Sequence, residues 1–436
     1  MDVCFIIFHL VRIWPGPQAA PPAASHGCTV SVPGISVLLD RRAHGLRRAL
    51  WALVLGAALV IFVLELLLSV QRLLEADVTR SWSHSSADQL EFPAVTVCAL
   101  GGLKPSAVAR WTRDNTTQAD WFFHGLELLR WQSTDLERFL DEASYSWEEQ
   151  VVRCTLAGQP CAAAGRVSHP FSQMLGQCHT LTAGGPVPRA HMLPQLRLQL
   201  AETDRAARAA GHSGWLVALH PAHVRWSDTA AVLGVASVLV VPPQVISQFT
   251  VKRTRLRRLS SEQAPCDAHT SAADVLDCHD ACQWSEAGGD ACRLRWLAHQ
   301  PADTAACTSY EQFLAATSHR RLFLNISGSS ETAMLHAVAE CSRCRPSCAA
   351  DMYVVQSRDR LQLSAAGTVS GQGVNAEVLI QLLAELEDVV EKYDYTFNTL
   401  ISDIGGIAGL LLGASVLTLV ELLDGLASAR CRCRRD

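Results

Sequence analysis

Lysine is nearly missing from this sequence of 436 residues, where it occurs only at Lys104, Lys252 and Lys392. Lys and Arg together number 37 against 42 Asp and Glu, and they are spread along the chain. Because a nucleic-acid interface needs a basic excess on one surface, nucleic acid is not expected as a partner. Internal repeats are missing as well, and a hydrophobic content of 49% is that of a folded protein rather than a disordered one.

Two long apolar runs interrupt this ordinary composition. Residues 49–70 contain Glu65 as their only charge, and residues 404–424 carry charge only near the far end, at Glu421 and Asp424. A helix of about 20 apolar residues crosses a hydrocarbon core of about 30 Å. The two runs therefore predict two transmembrane helices.

Arginines beside the two runs predict the orientation, because Lys and Arg in short flanking segments stay on the cytosolic side. The flanking arginines are Arg41, Arg42, Arg47 and Arg48 before the first run, and Arg430, Arg432, Arg434 and Arg435 after the second. Residues 1–48 and 425–436 are therefore predicted to be cytosolic, and residues 71–403 extracellular. We expect a multi-pass protein of the plasma membrane that contacts membrane lipid.

The predicted extracellular part is rich in cysteine. It contains 12 of the 16 cysteines, an even number that suits disulfide pairing in an oxidising compartment. It also contains two glycosylation sequons, at Asn115 and Asn325. Both signals agree with the topology predicted from the arginines.

Local patterns give a coarse secondary structure. Residues 92–98 and several pieces of 213–256 are rich in β-branched residues or alternate as strands do. Residues 117–152 have helical spacing, and a helix is expected over residues 274–282. Residues 377–398 form an acidic amphipathic segment that fits either a helix or a strand.

Two segments resemble a known family. Phe92-Pro-Ala-Val-Thr-Val-Cys98 resembles the sequence that follows the first span in the degenerin/epithelial sodium channel superfamily. The segment from Asp403 to Asp424 resembles the second span of the acid-sensing ion channels almost position for position. A Gly-Ala-Ser triplet alone would mean little, because small residues in apolar helices commonly serve close packing, so the length of the match carries the resemblance.

The resemblance implies a fold. Two transmembrane helices would join a large, disulfide-rich, mixed α/β extracellular domain of palm, β-ball, finger, thumb and knuckle, with the thumb at about 266–348. Three copies would assemble around the second spans. The implied disulfides are Cys98–Cys178, Cys154–Cys161, Cys266–Cys348, Cys278–Cys344, Cys282–Cys341 and Cys292–Cys307.

One alternative concerns the thumb cysteines. Cys341, Cys344 and Cys348, together with Cys278 and Cys282, have spacings that could also hold a structural zinc ion. An oxidising compartment favours the disulfides. No cofactor is expected, and no nucleophile–base or metal-ligand group that would suit an enzyme remains once the disulfides are assigned.

The resemblance also implies pore residues. Gly413, Ala414 and Ser415 would form the selectivity filter for Na⁺. Ser402, Asp403 and Gly406 would lie at the gate, with Ser402 at a position where a bulky residue holds family channels open, and Glu421 and Asp424 near the inner pore mouth. His26 and Gly27 match a gating motif before the first span, although His44 and Gly45 are an alternative pair.

An acidic run precedes the second span, with only Lys392 opposing it. Its members are Glu385, Glu387, Asp388, Glu391, Asp394 and Asp403. Repeated around an axis, such charges would concentrate cations at the pore entrance. The alternative is a solvated face with no role in conduction.

Proton sensing is the property that the sequence supports least. Carboxylates held close together raise one another's pKa, but the segments that would carry such clusters contain histidine or arginine instead. His84, His220 and His223 are expected to titrate near pH 6.5 if they sense protons.

The resemblance thus implies a subunit of a trimeric, sodium-selective, amiloride-sensitive-type cation channel opened by an extracellular stimulus. It would form a homotrimer, or a heterotrimer with related subunits. One alternative is a non-conducting regulatory subunit or disulfide-rich receptor. A lesser alternative is an ATP-gated trimeric channel, which would need more than three lysines to hold a triphosphate.

Overall fold

The computed structural model describes residue 38 and most of residues 44–413. Outside the description are residues 1–37, 39–43, 113–125, 128, 132–134, 190–193, 210–213, 262–263, 287–291, 299, 302, 318–321, 327–332, 338–340, 342, 363–374 and 414–436. The chain divides into two compact units. The first comprises the residues up to Val78 and from Tyr393 onward, and the second comprises Thr79–Lys392.

The helices and strands are numbered in chain order. The helices are α1 (Gly45–Glu75), α2 (Pro105–Trp111), α3 (Leu136–Ala143), α4 (Trp147–Gln150), α5 (Cys161–Ala164), α6 (Arg205–Ala209), α7 (Asp228–Val232), α8 (Ala272–Glu286), α9 (Tyr310–Thr317) and α10 (Phe397–Leu412). The strands are β1 (Val78–Ser86), β2 (Gln89–Leu90), β3 (Ala94–Ala99), β4 (Val151–Leu156), β5 (Gln159–Pro160), β6 (Gly165–Ser168), β7 (Phe171–Ser172), β8 (Gly176–Ala183), β9 (Val187–Pro188), β10 (Leu196–Leu200), β11 (Trp215–His220), β12 (Ser237–Val241), β13 (Val245–Arg257), β14 (Leu322–Ile326), β15 (Ala333–Ala337), β16 (Ala349–Gln362) and β17 (Ala376–Tyr393).

The first unit contains α1 and α10. With 31 residues, α1 is about 46 Å long at 1.5 Å per residue, and it is apolar enough to cross a membrane. Its large side chains are exposed, as Leu53 and Leu67 show, so no protein core of the described chain covers them. This is the arrangement expected of a helix that lies in lipid.

The second helix of this unit, α10, starts ahead of the predicted position 404. Thr396 begins it, because its side-chain oxygen accepts a hydrogen bond from the Thr399 N–H at 3.3 Å and satisfies a free donor of the first turn. Its 16 residues are apolar but too short to span a membrane alone, and the remainder of the predicted span lies outside the described residues.

The larger sheet of the second unit has seven strands in the order β16-β13-β17-β10-β4-β5, with β1 also paired to β17. β13 and β17 run parallel, whereas β13 with β16 and β10 with β17 are antiparallel. Val378, Ile380 and Leu382 of β17 point into the core at alternate positions, as one face of a strand requires. Residues 377–393 are therefore a strand, which decides between the two possibilities left open by the sequence.

A second sheet has six strands in the order β12-β11-β3-β8-β6, with β7 also paired to β8. Every residue of β3 and of β11 is buried, so both strands are covered on both faces and lack a polar alternation. The strand predicted over residues 92–98 is confirmed as β3. The helix predicted over 274–282 is also confirmed and is longer, as α8.

The helical pattern expected over residues 117–152 is only partly correct. Within the described part of that range, α3 ends at Ala143 and α4 begins afresh at Trp147. Ser146 starts α4 with a capping box, in which its side chain accepts from the Glu149 N–H and Glu149 accepts from the Ser146 N–H. The chain then enters β4 at Val151, so the helical expectation was wrong at the end of the range.

Six disulfides stabilise the second unit. They are Cys98–Cys178, Cys154–Cys161, Cys266–Cys348, Cys278–Cys344, Cys282–Cys341 and Cys292–Cys307, the same pairs that the resemblance implies. Their Cα–Cα separations of 4.4–6.3 Å suit disulfide geometry. All five cysteines of the zinc alternative are used in these bridges, so that alternative is wrong.

Candidate functional site

The described residues reach only the start of the predicted filter. Gly413 follows the last residue of α10 and takes a left-handed backbone conformation, with φ of 63°, which glycine adopts without a Cβ clash. Its N–H donates to the Ala408 carbonyl and closes the helix end. The other predicted residues of the filter, inner pore mouth and N-terminal motif lie outside the described part: Ala414, Ser415, Glu421, Asp424, His26 and Gly27.

The predicted gate residues lie on α10. Ser402 is exposed and Asp403 is half-buried. A Cβ placed on Gly405 or Gly406 would meet no other atom of the described chain within 4 Å. Packing inside the described part of the chain therefore does not explain why small residues stand at these two positions.

Asp403 has a partner that the sequence did not indicate. The Tyr395 hydroxyl donates to Asp403 Oδ2 at 2.6 Å. This hydrogen bond raises the pKa of Tyr395, and a second hydrogen bond joins its hydroxyl to Ser69. Ser69 is only 4% exposed, whereas its neighbours on α1 are largely exposed. Ser69, Tyr395 and Asp403 thus form a hydrogen-bonded chain between α1 and α10.

A backbone hydrogen bond also joins the segments that flank α1 and α10. The Asp394 N–H donates to the Asp77 carbonyl at 2.8 Å, which joins the segment after β17 to the segment after α1. No pattern in the sequence distinguished Tyr395 from Tyr393, which is also close to the second run. Only the folded arrangement of the first unit brings the phenol to the carboxylate.

The acidic run is more strongly paired than its sequence suggests. Lys392 was the only opposing charge near it in sequence, but β1 and β13 provide four basic partners. The pairs are His84–Glu385 at 3.0 Å, Lys252–Glu387 at 3.3 Å, Arg255–Asp388 at 3.7 Å and Arg80–Glu391 at 3.2 Å. The statement that only Lys392 opposes the run is therefore wrong, because β17 is flanked by basic strands that lie far away in the sequence.

His220 is a core residue and not a sensor that titrates near pH 6.5. Its Nδ1 donates to the Pro221 carbonyl at 3.2 Å, and its Nε2 then accepts from the Thr96 hydroxyl at 2.9 Å. Burial lowers the pKa of His220 to about 4. The sequence could not reveal this, because His220 ends a strand that is buried on both faces. His223 lies on the surface, and His84 contacts Glu385.

A histidine pair was missed by the sequence reasoning. His169 Nδ1 and His179 Nδ1 are 2.8 Å apart, and His179 Nε2 lies 2.9 Å from the Tyr145 carbonyl. His179 is 1% exposed, and burial lowers its pKa to about 4.

The chain is similar to a known protein family and to individual known proteins. A family model described as amiloride-sensitive sodium channel matches residues 27–424. Acid-sensing ion channel 1B of Danio rerio is 23% identical over 455 residues, covering 92% of this chain and 76% of that protein. Acid-sensing ion channel 4 of Mus musculus is 23% identical over 444 residues, covering 94% and 80%.

Among solved structures, one described as a cryo-EM structure of a proton-activated chloride channel covers 86% of this chain and 96% of that chain. Its TM-score of 0.31 and identity of 6% are too low to bear on the fold of this protein. The family match instead extends over nearly the whole chain, and it agrees with the disulfide-rich mixed α/β domain and the long apolar helix. The chain belongs to the amiloride-sensitive sodium channel family.

Proposed function

We propose that the chain is one subunit of a trimeric, sodium-selective, amiloride-sensitive cation channel of the plasma membrane, with α1 and residues 404–424 as its two spans. Residues 1–48 and 425–436 are then cytosolic, and residues 71–403 are extracellular. The proposal rests on the family and on one observation above all, which is the way α10 ends at Gly413.

The end of α10 leaves backbone oxygens without helical partners. The last four carbonyls of an α-helix have no N–H of their own helix to accept from. Gly413 turns into the left-handed region and donates to Ala408 instead of Gly409, so the Gly409 carbonyl does not receive the N–H that a continuing helix would give it. Carbonyl oxygens of this kind replace water around a permeating cation. Gly413, Ala414 and Ser415 of three subunits would complete that ring.

Small residues on α10 fit the assembly of several copies. Gly405 and Gly406 have free space around them among the residues that the structure describes, and small residues allow helices to approach closely in a membrane. Closely packed copies of α10 would place Ser402 and Asp403 near the axis, where the gate is proposed. Glu421 and Asp424 would then lie toward the cytosol, with His26 and Gly27 on the cytosolic side of the first span.

The stimulus is proposed to be extracellular. The carboxylates of the acidic run form ion pairs with basic side chains, which does not favour a cluster of these carboxylates as the receptor for the stimulus. Glu387 and Glu391, for example, already accept ion pairs from Lys252 and Arg80. The ATP-gated alternative is weakened in the same way, because Lys252 is bound to Glu387 and Lys104 to Glu149 at 2.8 Å. Two of the three lysines are thus occupied.

Voltage-clamp recording of the expressed full-length chain tests the proposal, with Na⁺ outside, pH steps and amiloride. The wild type and Ser402→Phe are compared at equal surface expression, measured by surface biotinylation. An amiloride-blocked inward Na⁺ current in either supports the channel. Surface-expressed protein that carries no current in both forms would instead favour the non-conducting regulatory subunit. Counting three copies in single-molecule bleaching steps checks the trimer independently.

A further inference from the structure

One of the six disulfides is more open to solvent than the others. In four bridges both cysteines are buried, and in the Cys154–Cys161 bridge one of them is. Cys278 and Cys344 are both half-buried, so theirs is the bridge in which neither cysteine is enclosed. Exposed disulfides are the ones that exchange readily with thiols, because an attacking sulfur has to reach them.

A cavity lies beside this bridge. Its volume is about 380 Å³, and its lining includes Val275 and His279 of α8 together with Arg258, Cys341 and Cys344. Small-molecule sites in proteins have volumes of about 300–1,000 Å³, so a small organic molecule fits here. A thiol inside this cavity would lie next to Cys344.

Two arginines flank Cys344 in the sequence, Arg343 and Arg345, and both are exposed. The Arg343 guanidinium donates to the Ser285 hydroxyl at 2.6 Å, which is a neutral partner. A backbone hydrogen bond is the main cause that lowers the pKa of Asp267, and the charge of Arg345 contributes to it. The positive charge around Cys344 is therefore only partly balanced, and it attracts an anionic thiolate.

The other cysteine of the bridge lies among negative charges. Asp277 precedes Cys278, Asp274 lies one turn earlier on α8, and both carboxylates are exposed. Because the attacking form of a thiol is the thiolate, these charges oppose its approach to Cys278. The cavity and the charges thus favour the same point of attack, which is Cys344.

We propose that the Cys278–Cys344 bridge is a site of thiol–disulfide exchange for a small, negatively charged thiol, which attacks at Cys344. The thiolate sulfur bonds to Cys344 Sγ, the bond between the two cysteines breaks, and its electron pair leaves with Cys278 Sγ, which takes a proton from water. A second thiolate attacks the sulfur of the bound thiol, releases Cys344 and departs as the small-molecule disulfide. Two small thiols are oxidised while one protein disulfide is reduced.

Neighbouring bridges keep the two cysteines close after reduction. Cys344 lies between Cys341, which is bonded to Cys282, and Cys348, which is bonded to Cys266. The Cys344 N–H also donates to the Cys341 carbonyl at 3.0 Å. Because the segment is held at both ends, reduction is local and oxidation can restore the bridge.

Timed exposure of the purified full-length protein in lipid nanodiscs to glutathione tests this site. After an acid quench, free thiols are alkylated with one isotopic form of N-ethylmaleimide, and the remaining cysteines with another after unfolding and full reduction. Mass spectrometry of peptides identifies each cysteine, and an unreduced digest locates the glutathione. Cys278 should appear as a thiol, and glutathione on Cys344, about ten-fold faster than any other bridge opens, because exchange follows access.

The Cys154–Cys161 bridge is the matched comparison, because it has one half-buried and one buried cysteine. The proposal is wrong if this or any other bridge opens first, if all six open together, or if the folded protein does not react. Glutathione on Cys278 instead of Cys344 would also overturn it.

Two thiols of opposite charge measure the role of the arginines. The rates with anionic glutathione and cationic cysteamine are compared at low ionic strength in the wild type and in the double variant Arg343→Gln/Arg345→Gln. The ratio of the two rates at this bridge should fall about three-fold in the variant, since exposed charges contribute modestly. Arg205→Gln, which changes an exposed arginine of α6, should leave it unchanged. An unchanged ratio in the double variant would contradict attack at Cys344 directed by charge. Since no current is measured, the result is independent of whether the chain conducts.

Discussion

The hydroxyl of Tyr395 donates a 2.6 Å hydrogen bond to the carboxylate of Asp403, and this bond fixes a predicted gate residue from outside its own helix. Ser69 of α1 joins the same hydroxyl. Two helices that are separate in sequence therefore share a polar contact between the C-terminal part of α1 and the N-terminal part of α10. A movement of α10 that changes the direction of Asp403 has to break or stretch this contact.

Removing the hydroxyl should make opening easier. Tyr395→Phe keeps the ring but loses the hydrogen bond to the Asp403 carboxylate, and with it the restraint that this bond places on α10. We expect the ratio of resting to maximal Na⁺ current to rise about five-fold. Tyr393→Phe, which alters a neighbouring exposed tyrosine, is the matched control. Equal resting currents in the wild type and Tyr395→Phe would show that the bond does not oppose opening.

Bulk at Ser402 should hold the gate open. Ser402 is exposed on α10 and small enough for three helices to meet, whereas a phenyl ring would separate them. Ser402→Phe is expected to carry a steady Na⁺ current without a stimulus, and Ser402→Ala to behave as the wild type. An unchanged resting current in a conducting Ser402→Phe channel would count against this position as the gate.

Ser415 should govern ion selectivity. If the segment only packs helices, Ser415→Ala and Ser415→Asp should leave the Na⁺/K⁺ permeability ratio unchanged in channels that still conduct. If it lines the pore, Ser415→Asp should change the ratio, because three added carboxylates alter both the aperture and the coordinating oxygens. Reversal potentials in Na⁺ and K⁺ solutions measure this. Wild-type selectivity in conducting Gly413, Ala414 and Ser415 variants would refute the filter assignment.

Acid should destabilise the second unit through His220. Its pKa is about 4 when folded and about 6.5 when unfolded, so between these values the unfolded chain binds the proton and the folded chain does not. The free energy of unfolding should therefore fall as the pH falls from about 6.5 to 4, by up to about 3 kcal/mol, and then level off. His179, also lowered to about 4, adds in the same direction.

The melting temperature of the purified full-length protein, followed by tryptophan fluorescence from pH 7.5 to 4, measures this effect. His220→Gln should be less stable at pH 7.5, because it loses the fitted bonds to Thr96 and Pro221, but its melting temperature should depend less on pH. His223→Gln removes an exposed neighbour whose charge is the smallest cause of the lowered pKa of His220, so this variant should differ little from the wild type. A pH dependence that is identical in the wild type and His220→Gln would contradict the buried, neutral state.

Sequence patterns predicted the features that depend on residues close together in the sequence. β3 was predictable because a short apolar, β-branched run with a proline before it marks a buried strand. β17 was not, because an acidic amphipathic segment fits a helix and a strand alike until its neighbours are known. The basic partners of Glu387 and Glu391 come from β13 and β1, and sequence spacing says nothing of such pairings. Tyr395 and the His169–His179 pair escaped prediction for the same reason, since each contact exists only after folding.

The ladder between β13 and β16 ends with Arg257 opposite Ala349. The chain therefore leaves the sheet at residue 258 and returns at residue 348 to the same place, where the Cys266–Cys348 bridge closes the excursion. In topological terms, residues 258–348 are the loop of a β-hairpin, however much structure they contain. The pairing of β13 with β16 does not depend on the length of this loop, but the loop supplies Leu294, Trp296 and Phe313 to a hydrophobic core that it shares with α2 and α3. A substitution in this loop is therefore expected to disturb the packing around α2 and α3 before it disturbs the register of the large sheet.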